Sequence, residues 1–233
     1  MKILEMNMRN FLKLCIAVPA MAAGIISCDY ESDIYYNSYL TAVEAEEGMP
    51  YKCFFVSDDS LRVIPLNYFS EIGELETDDR LMATFSIPGG EITDPVEVEF
   101  TSIIQMITQN IHQTSSMDTM YNDPIDPVQM WQSGGVYGVS RFLTVSFSYQ
   151  ASQSGISHNI CLVDDLNAPN PDSDGYYHLK FRHSANKDQY QYMASSVATF
   201  LLPEKYTAPG IKGIKVDFNV ITPEKDSTLT VTF

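Results

Sequence analysis

Arg182, His183 and Asn186 stand within five positions of one another and offer a guanidinium, an imidazole and an amide. Such a set could contact a polar ligand. It suits equally a hairpin corner whose His and Asn satisfy main-chain groups, and the corner is the expected role. His158, His178 and His183 supply imidazoles, but none has the close spacing of a zinc motif. His178 and His183 also fall at opposite parity of one strand, which sends them to opposite faces. No metal site is expected from them. Asn170-Pro171-Asp172-Ser173-Asp174-Gly175 opens like a calcium loop, yet its twelfth position is Phe181 where a bidentate Glu belongs. Asp172 and Asp174 keep a capacity for weak calcium binding, and a solvated connector is the expected role. No serine sits in a Gly-x-Ser-x-Gly elbow. Asp58-Asp59 and Asp78-Asp79 are neighbours at turns, where adjacent side chains point apart, so neither makes a shared catalytic pair. Trp131 is the only tryptophan; it could stack on a sugar, and core at a sheet edge is the expected place. The chain is read as a non-enzyme that needs no cofactor.

Chemistry of another kind is marked at the N-terminus. Lys2, Arg9 and Lys13 precede Leu14 to Ile26, thirteen residues without a charge. That length suits a secretory signal and is short of the roughly 20 residues a membrane-spanning helix needs. Ile25-Ile26-Ser27-Cys28 follows and resembles a lipobox: small Ser27 fits the peptidase and the Cys28 thiol takes the lipid. The expected mature chain starts at Cys28 and is held to the membrane through that lipid. Asp29, Glu31 and Asp33 come directly after it. Three acids in five residues resemble the export signal of Bacteroidota-type lipoproteins, and the expected address is the outer membrane, facing the cell exterior.

Without residues 1–27 the chain carries 11 bases and 29 acids, a net of −18. The charge is uneven. Tyr36 to His112 holds three bases and fourteen acids; Pro127 to Phe233 holds eight and nine. An acidic first module repels phosphate backbones, so no nucleic-acid partner is expected. Cys53 and Cys161 each lie in an apolar run and read as buried free thiols.

The elements that must position these residues are strands, and the fold class is all-β. Residues 1–27 are the signal and 28–35 an acidic tether. Residues 36–112 read as an OB-like small barrel: a strand at Asn37–Val43, a hairpin from Tyr51 to Pro65 around Ser57–Ser60, a strand at Arg80–Ile87, and a long run from Val96 to Ile107. Residues 113–126 read as a polar linker. Residues 127–233 hold some seven strands and read as a β-sandwich. In Phe142 to Tyr149, Leu143, Val145, Phe147 and Tyr149 are expected inward and Thr144, Ser146 and Ser148 outward. Tyr177, Leu179 and Phe181 form a second inward face. Ile214, Val216, Phe218 and Val220 form a third, and Leu229, Val231 and Phe233 a fourth.

Ile156-Ser157-His158-Asn159-Ile160-Cys161-Leu162-Val163 and Asp174 to Asn186 (DGYYHLKFRHSAN) make the second module similar to the C-terminal sandwich of NigD-like proteins. It departs from the family pattern at Cys161 and Ser184. The resemblance implies an OB-like N-terminal domain behind a lipoprotein signal, and its bacteriocin-locus name implies immunity. The expected function is a lipid-anchored, non-enzymatic binding or protective protein whose partner is a protein or peptide, a bacteriocin included; a cationic toxin would suit the acidic module. The alternative is a glycan-binding accessory lipoprotein using Trp131. Candidate ligand contacts are Trp131, Arg182, His183 and Asn186.

Overall fold

The computed structural model describes residues 34–45, 47, 53–67, 75–153 and 155–233. The leader, Ser27, Cys28, the acids Asp29, Glu31 and Asp33, and the start of the Tyr51 hairpin lie outside the described residues. Those described form fourteen strands and two short 3-10 turns. None of their helices is long and apolar enough to cross a membrane. The chain divides into two compact units, one running through Met106 with Val136–Val139 added, the other formed by Ile107–Gly135 and Ser140–Phe233.

The first unit is a closed barrel of β1 (Tyr35–Glu44), β2 (Cys53–Ser57), β3 (Arg62–Pro65), β4 (Arg80–Ser86) and β5 (Val96–Met106), in the order β1-β2-β3-β5-β4. Two long strands close it, each serving two partners. β1 pairs with β4 through Tyr35–Thr41 and with β2 through Leu40–Glu44. β5 pairs parallel with β3 and antiparallel with β4, with a register shift at Thr84/Phe85. Such an irregularity bends the strand and raises its twist, which closure requires. Val96, Val98 and Phe100 are buried between exposed Glu97 and Glu99, as their alternation demands. Phe100 meets Phe55 and Phe85 edge to face, at 5.4 and 5.8 Å between centroids. Arg80 is wholly buried in this unit. Asp58 takes it bidentately at 2.5 and 2.9 Å, and Thr41 accepts a third bond at 2.9 Å. Asp58, one of the two adjacent acids at this turn, is therefore half of a buried ion pair.

The second unit is a sandwich. One sheet runs β14 (Thr228–Thr232), β13 (Gly213–Asp217), β11 (Tyr176–Ser184), β10 (Asn159–Asp165), β7 (His112–Thr114); the other runs β6 (Thr108–Asn110), β12 (Tyr192–Leu201), β9 (Arg141–Ala151), β8 (Asp126–Gly134). Its core contains Leu143, Val145, Phe147, Leu162, Leu179, Phe181, Phe200, Ile214, Val216 and Phe218. Phe181 lies near the middle, with Phe147, Phe218 and Phe200 rings at 5.1, 5.4 and 6.0 Å.

Three readings change. The sandwich begins at Ile107, not at Pro127. Residues 108–114 leave the barrel and linker and supply two short strands, paired parallel to β12 and β10. The rest of the linker is bound down: Asp123 N–H donates to the His183 carbonyl and its carboxylate accepts from Ala185 N–H, both at 2.8 Å. Asp126 starts β8 and accepts from Ile221 N–H, Thr222 N–H and the Thr222 hydroxyl. Thr144, expected outward, is fully buried and shares a hydrogen bond with Thr199 Oγ1 at 3.3 Å. Phe142 on the same strand is buried too, so β9 has no wet face there. Phe233, expected inward, is 41% exposed beyond the end of β14.

Candidate functional site

Strand parity separates the predicted cluster. Arg182 points out from β11 and donates through Nη1 to Asn122 Oδ1. His183, one residue on, is 2% exposed on the inner face, where no external ligand reaches it. Asn186 sits in the following turn at φ +50°, which Asn tolerates better than most residues. Its Nδ2 donates to the Ser157 carbonyl at 2.6 Å, and its Oδ1 accepts from Ser184. These are local satisfactions of the kind expected for a corner. Trp131 is half-buried on β8, directly opposite buried Thr144. Cys53 and Cys161 are both free thiols. Burial pushes the Cys53 thiol up to about 11. Cys161 is half-buried and takes a long hydrogen bond from Tyr121.

His183 does meet another predicted histidine. His158, just before β10, approaches it with Nδ1 2.9 Å from its Nε2. On its other side His158 Nε2 lies 3.2 Å from Asp188 Oδ2. Asp188 also accepts from Ser152 N–H, the Ser152 hydroxyl and Gln189 N–H. The Tyr149 ring flanks both imidazoles. Ser152 donates to the acid and not to a histidine, so this is no nucleophile–base pair. His178 stands apart on the outer face of β11, as parity requires.

There His178 joins the two aspartates of the calcium-like loop. Its Nε2 is 2.7 Å from Asp172 Oδ2. One ligand atom from each of Asp172, Asp174 and His178 lies within 4.8 Å of the others. Each aspartate spends its Oδ1 on a loop N–H, Asp172 on Asp174 and Asp174 on Tyr176. The positive charge is already present: Lys215 Nζ donates to Asp174 Oδ2. The hydrogen bonds it shares with Asp172 and then with Lys215 hold Asp174 well below the usual carboxylate range. The three residues could ligate an ion only by displacing Lys215.

A cleft of about 470 Å³ lies elsewhere, at the sheet switch where β6 gives way to β7. It is lined by Asn110, Ile111, His112, Gln113, Pro203, Lys205 and Tyr206. Behind it is Asp164, whose side chain is 5% exposed. Asp164 Oδ2 accepts from the Tyr206 hydroxyl at 2.9 Å, Lys205 Nζ at 2.8 Å and Gln113 Nε2 at 3.3 Å; Oδ1 accepts from Asn170 Nδ2 at 3.1 Å. Burial and the neighbouring carboxylate raise the Tyr206 phenol far above its usual value, so it stays neutral. Lys205 also lies over the Tyr206 ring at 4.3 Å. A carboxylate with four donors has little capacity left for general-base work. The lining still offers an amide, an imidazole and an ammonium edge, a size and character that suit binding a polar group. Parity of β10 carried a signal for Asp164: it follows Leu162 by two positions and so faces inward, where an acid needs partners. Lys205, Tyr206 and Gln113 gave none, being distant in sequence.

A family model described as NigD-like C-terminal beta sandwich domain matches residues 107–233. No curated protein matches the sequence. Several solved structures share the fold. A protein of unknown function from Bacteroides vulgatus superposes with a TM-score of 0.68 at 20% identity, covering 86% of this chain and 91% of that one. A "Putative lipoprotein" from Bacteroides fragilis gives 0.57 at 14% identity, covering 86% and 96%. A NigD-like immunity protein from Bacteroides caccae gives 0.55 at 16% identity, covering 87% and 93%.

Proposed function

The chain belongs to the family of NigD-like proteins, and on that footing we propose that it is a lipid-anchored, surface-displayed protein that binds a protein or peptide and protects its own cell, without catalysis. The observation that carries this reading is the resemblance over most of both chains to a structure named as a NigD-like immunity protein. The internal chemistry supports binding over turnover. Asp164, Asp188 and Asp58 each spend their oxygens on donors of the fold itself. The lipobox-like Ile25–Cys28 and the acids at 29, 31 and 33 support the outer surface as its place, as does the neighbour named as a lipoprotein. The net of −11 over Tyr36–His112 favours a cationic partner by attraction and faster encounter. Trp131 is half-buried, which gives the glycan reading less surface than an exposed ring would.

Deletion of the gene in its own host, followed by challenge with cationic peptide bacteriocins from neighbouring strains, tests the reading. Deletion should widen the zone of killing for at least one toxin, and the wild-type gene should restore the narrow zone. Equal zones against a panel of such toxins, with the protein expressed, would remove protection as its role.

A further inference from the structure

The two histidines drawn together at one end of the sandwich have a further consequence. His158 lies in the connection from β9 to β10, and Asp188 in the connection from β11 to β12. Both connections carry the chain from one sheet to the other. Ser152 and His158 from the first meet Asp188 from the second, and His183 at the end of β11 completes the chain of contacts. The side chains of Asp188 and His158 are 2% and 9% exposed. The same two connections and the start of β12 hold exposed Ile156, Tyr190, Tyr192 and Met193.

An imidazole–imidazole hydrogen bond holds a single proton between its nitrogens. A neutral pair satisfies this, and so does a singly protonated pair. A second proton turns both facing nitrogens into donors, and at 2.9 Å two N–H groups repel. The titratable and charged groups facing the pair are Asp188 from the β11–β12 connection, Tyr149 from β9 and Asp123 from the segment before β8. Asp188 Oδ2 lies against His158 Nε2. Among the described residues no second carboxylate bonds either ring; the Asp123 carboxylate favours a proton on His183 only through space, and burial outweighs it. We propose that His158–His183 is an acid-opened latch: the second proton parts the two imidazoles and releases the β9–β10 and β11–β12 connections with their exposed aromatic and apolar side chains. Burial first, and the nearby His158 second, hold His183 below its ordinary 6.5. The folded latch therefore resists protonation more than the unfolded chain does. The stability it contributes is complete above about pH 6.5 and falls as pH drops below it, well before the carboxylates titrate. A surface built on these connections would then engage partners differently in acidic and neutral surroundings.

Hydrogen exchange read by mass spectrometry on the full chain, corrected for intrinsic rates between pH 7.5 and 5, tests this. Peptides covering 152–158 and 185–191 should lose protection by about tenfold per pH unit once the second proton binds, while β13 and the barrel strands keep theirs. His178→Gln, on the opposite face, should leave that dependence intact, and His158→Gln should flatten it. Because His158→Gln could unfold the sandwich, imidazole nitrogen shifts of the wild type give a second reading. One histidine of the pair should titrate below the ordinary 6.5, coupled to the other. Independent titration of both near 6.5, uniform loss of protection across the sandwich, or unchanged loops down to pH 5 would each overturn the latch.

Discussion

Arg80 and Asp58 show what a single side chain can do to this molecule. The guanidinium has no exposure and the carboxylate 9%, so removing one partner strands the other charge in the barrel. Asp58→Asn should cost about 3–5 kcal/mol of barrel stability, read as a lowered midpoint in urea. Replacing both by apolar residues of similar volume should cost far less. Tyr206→Phe removes one of four donors to buried Asp164 and should cost about 1.5–3 kcal/mol, with the cleft's shape retained. Asp126 has two opposed influences. Burial raises it, but the bonds from Thr222 and Ile221 prevail and hold it below 3.8. Asp165 is held low by Lys180 and the Asn167 N–H. Both bind protons less readily folded than unfolded, so their contribution is present above about pH 4 and lost as pH falls through their lower folded values. At this scale the sequence was a partial guide. Parity placed His178 and His183 on opposite faces. It could not reveal that His158 and Asp188 would reach His183, because side-chain convergence depends on which strands become neighbours.

Among elements, the clearest lesson comes from the three-residue strands β6 and β7. The stretches Phe142–Tyr149, Tyr177–Phe181, Ile214–Val220 and Leu229–Phe233 alternate, and each carries a strand. Thr108–Asn110 and His112–Thr114 show no such pattern. They are polar, short and paired parallel at sheet edges, and periodicity has nothing to act on in three residues. The barrel was more legible, since Val96–Met106 and Arg80–Ser86 are long enough to alternate. The consequence can be measured. The fragment Ile107–Phe233 contains both sheets and the Asp123 and Asp126 ties, and should fold alone with a cooperative melt and a β-type circular dichroism spectrum. The fragment Pro127–Phe233 lacks two edge strands and those ties, and should melt at a clearly lower temperature or not fold. Equal melting of the two would mean that residues 107–126 add nothing to the sandwich.

For the molecule as a whole, placement in the cell decides whether protection by binding is feasible. The proposed lipid-anchored display rests on the thirteen uncharged residues before Ser27, the Cys28 thiol and the three acids behind it. Several acyl chains on one cysteine would hold the protein there durably, where a single chain would not. Replacing Asp29, Glu31 and Asp33 by Asn, Gln and Asn should reduce display outside the cell while leaving lipid and fold in place, as antibody staining of unpermeabilised cells would read. The measurement that bears most directly on lipid-anchored surface display joins a clickable palmitate label to protease shaving of intact cells in the native host. Wild-type protein should carry the label and be cut away by external protease, and Cys28→Ala should carry no label and leave the membrane fraction. Label that persists on Cys28→Ala, or wild-type protein fully shielded from the protease, would contradict it.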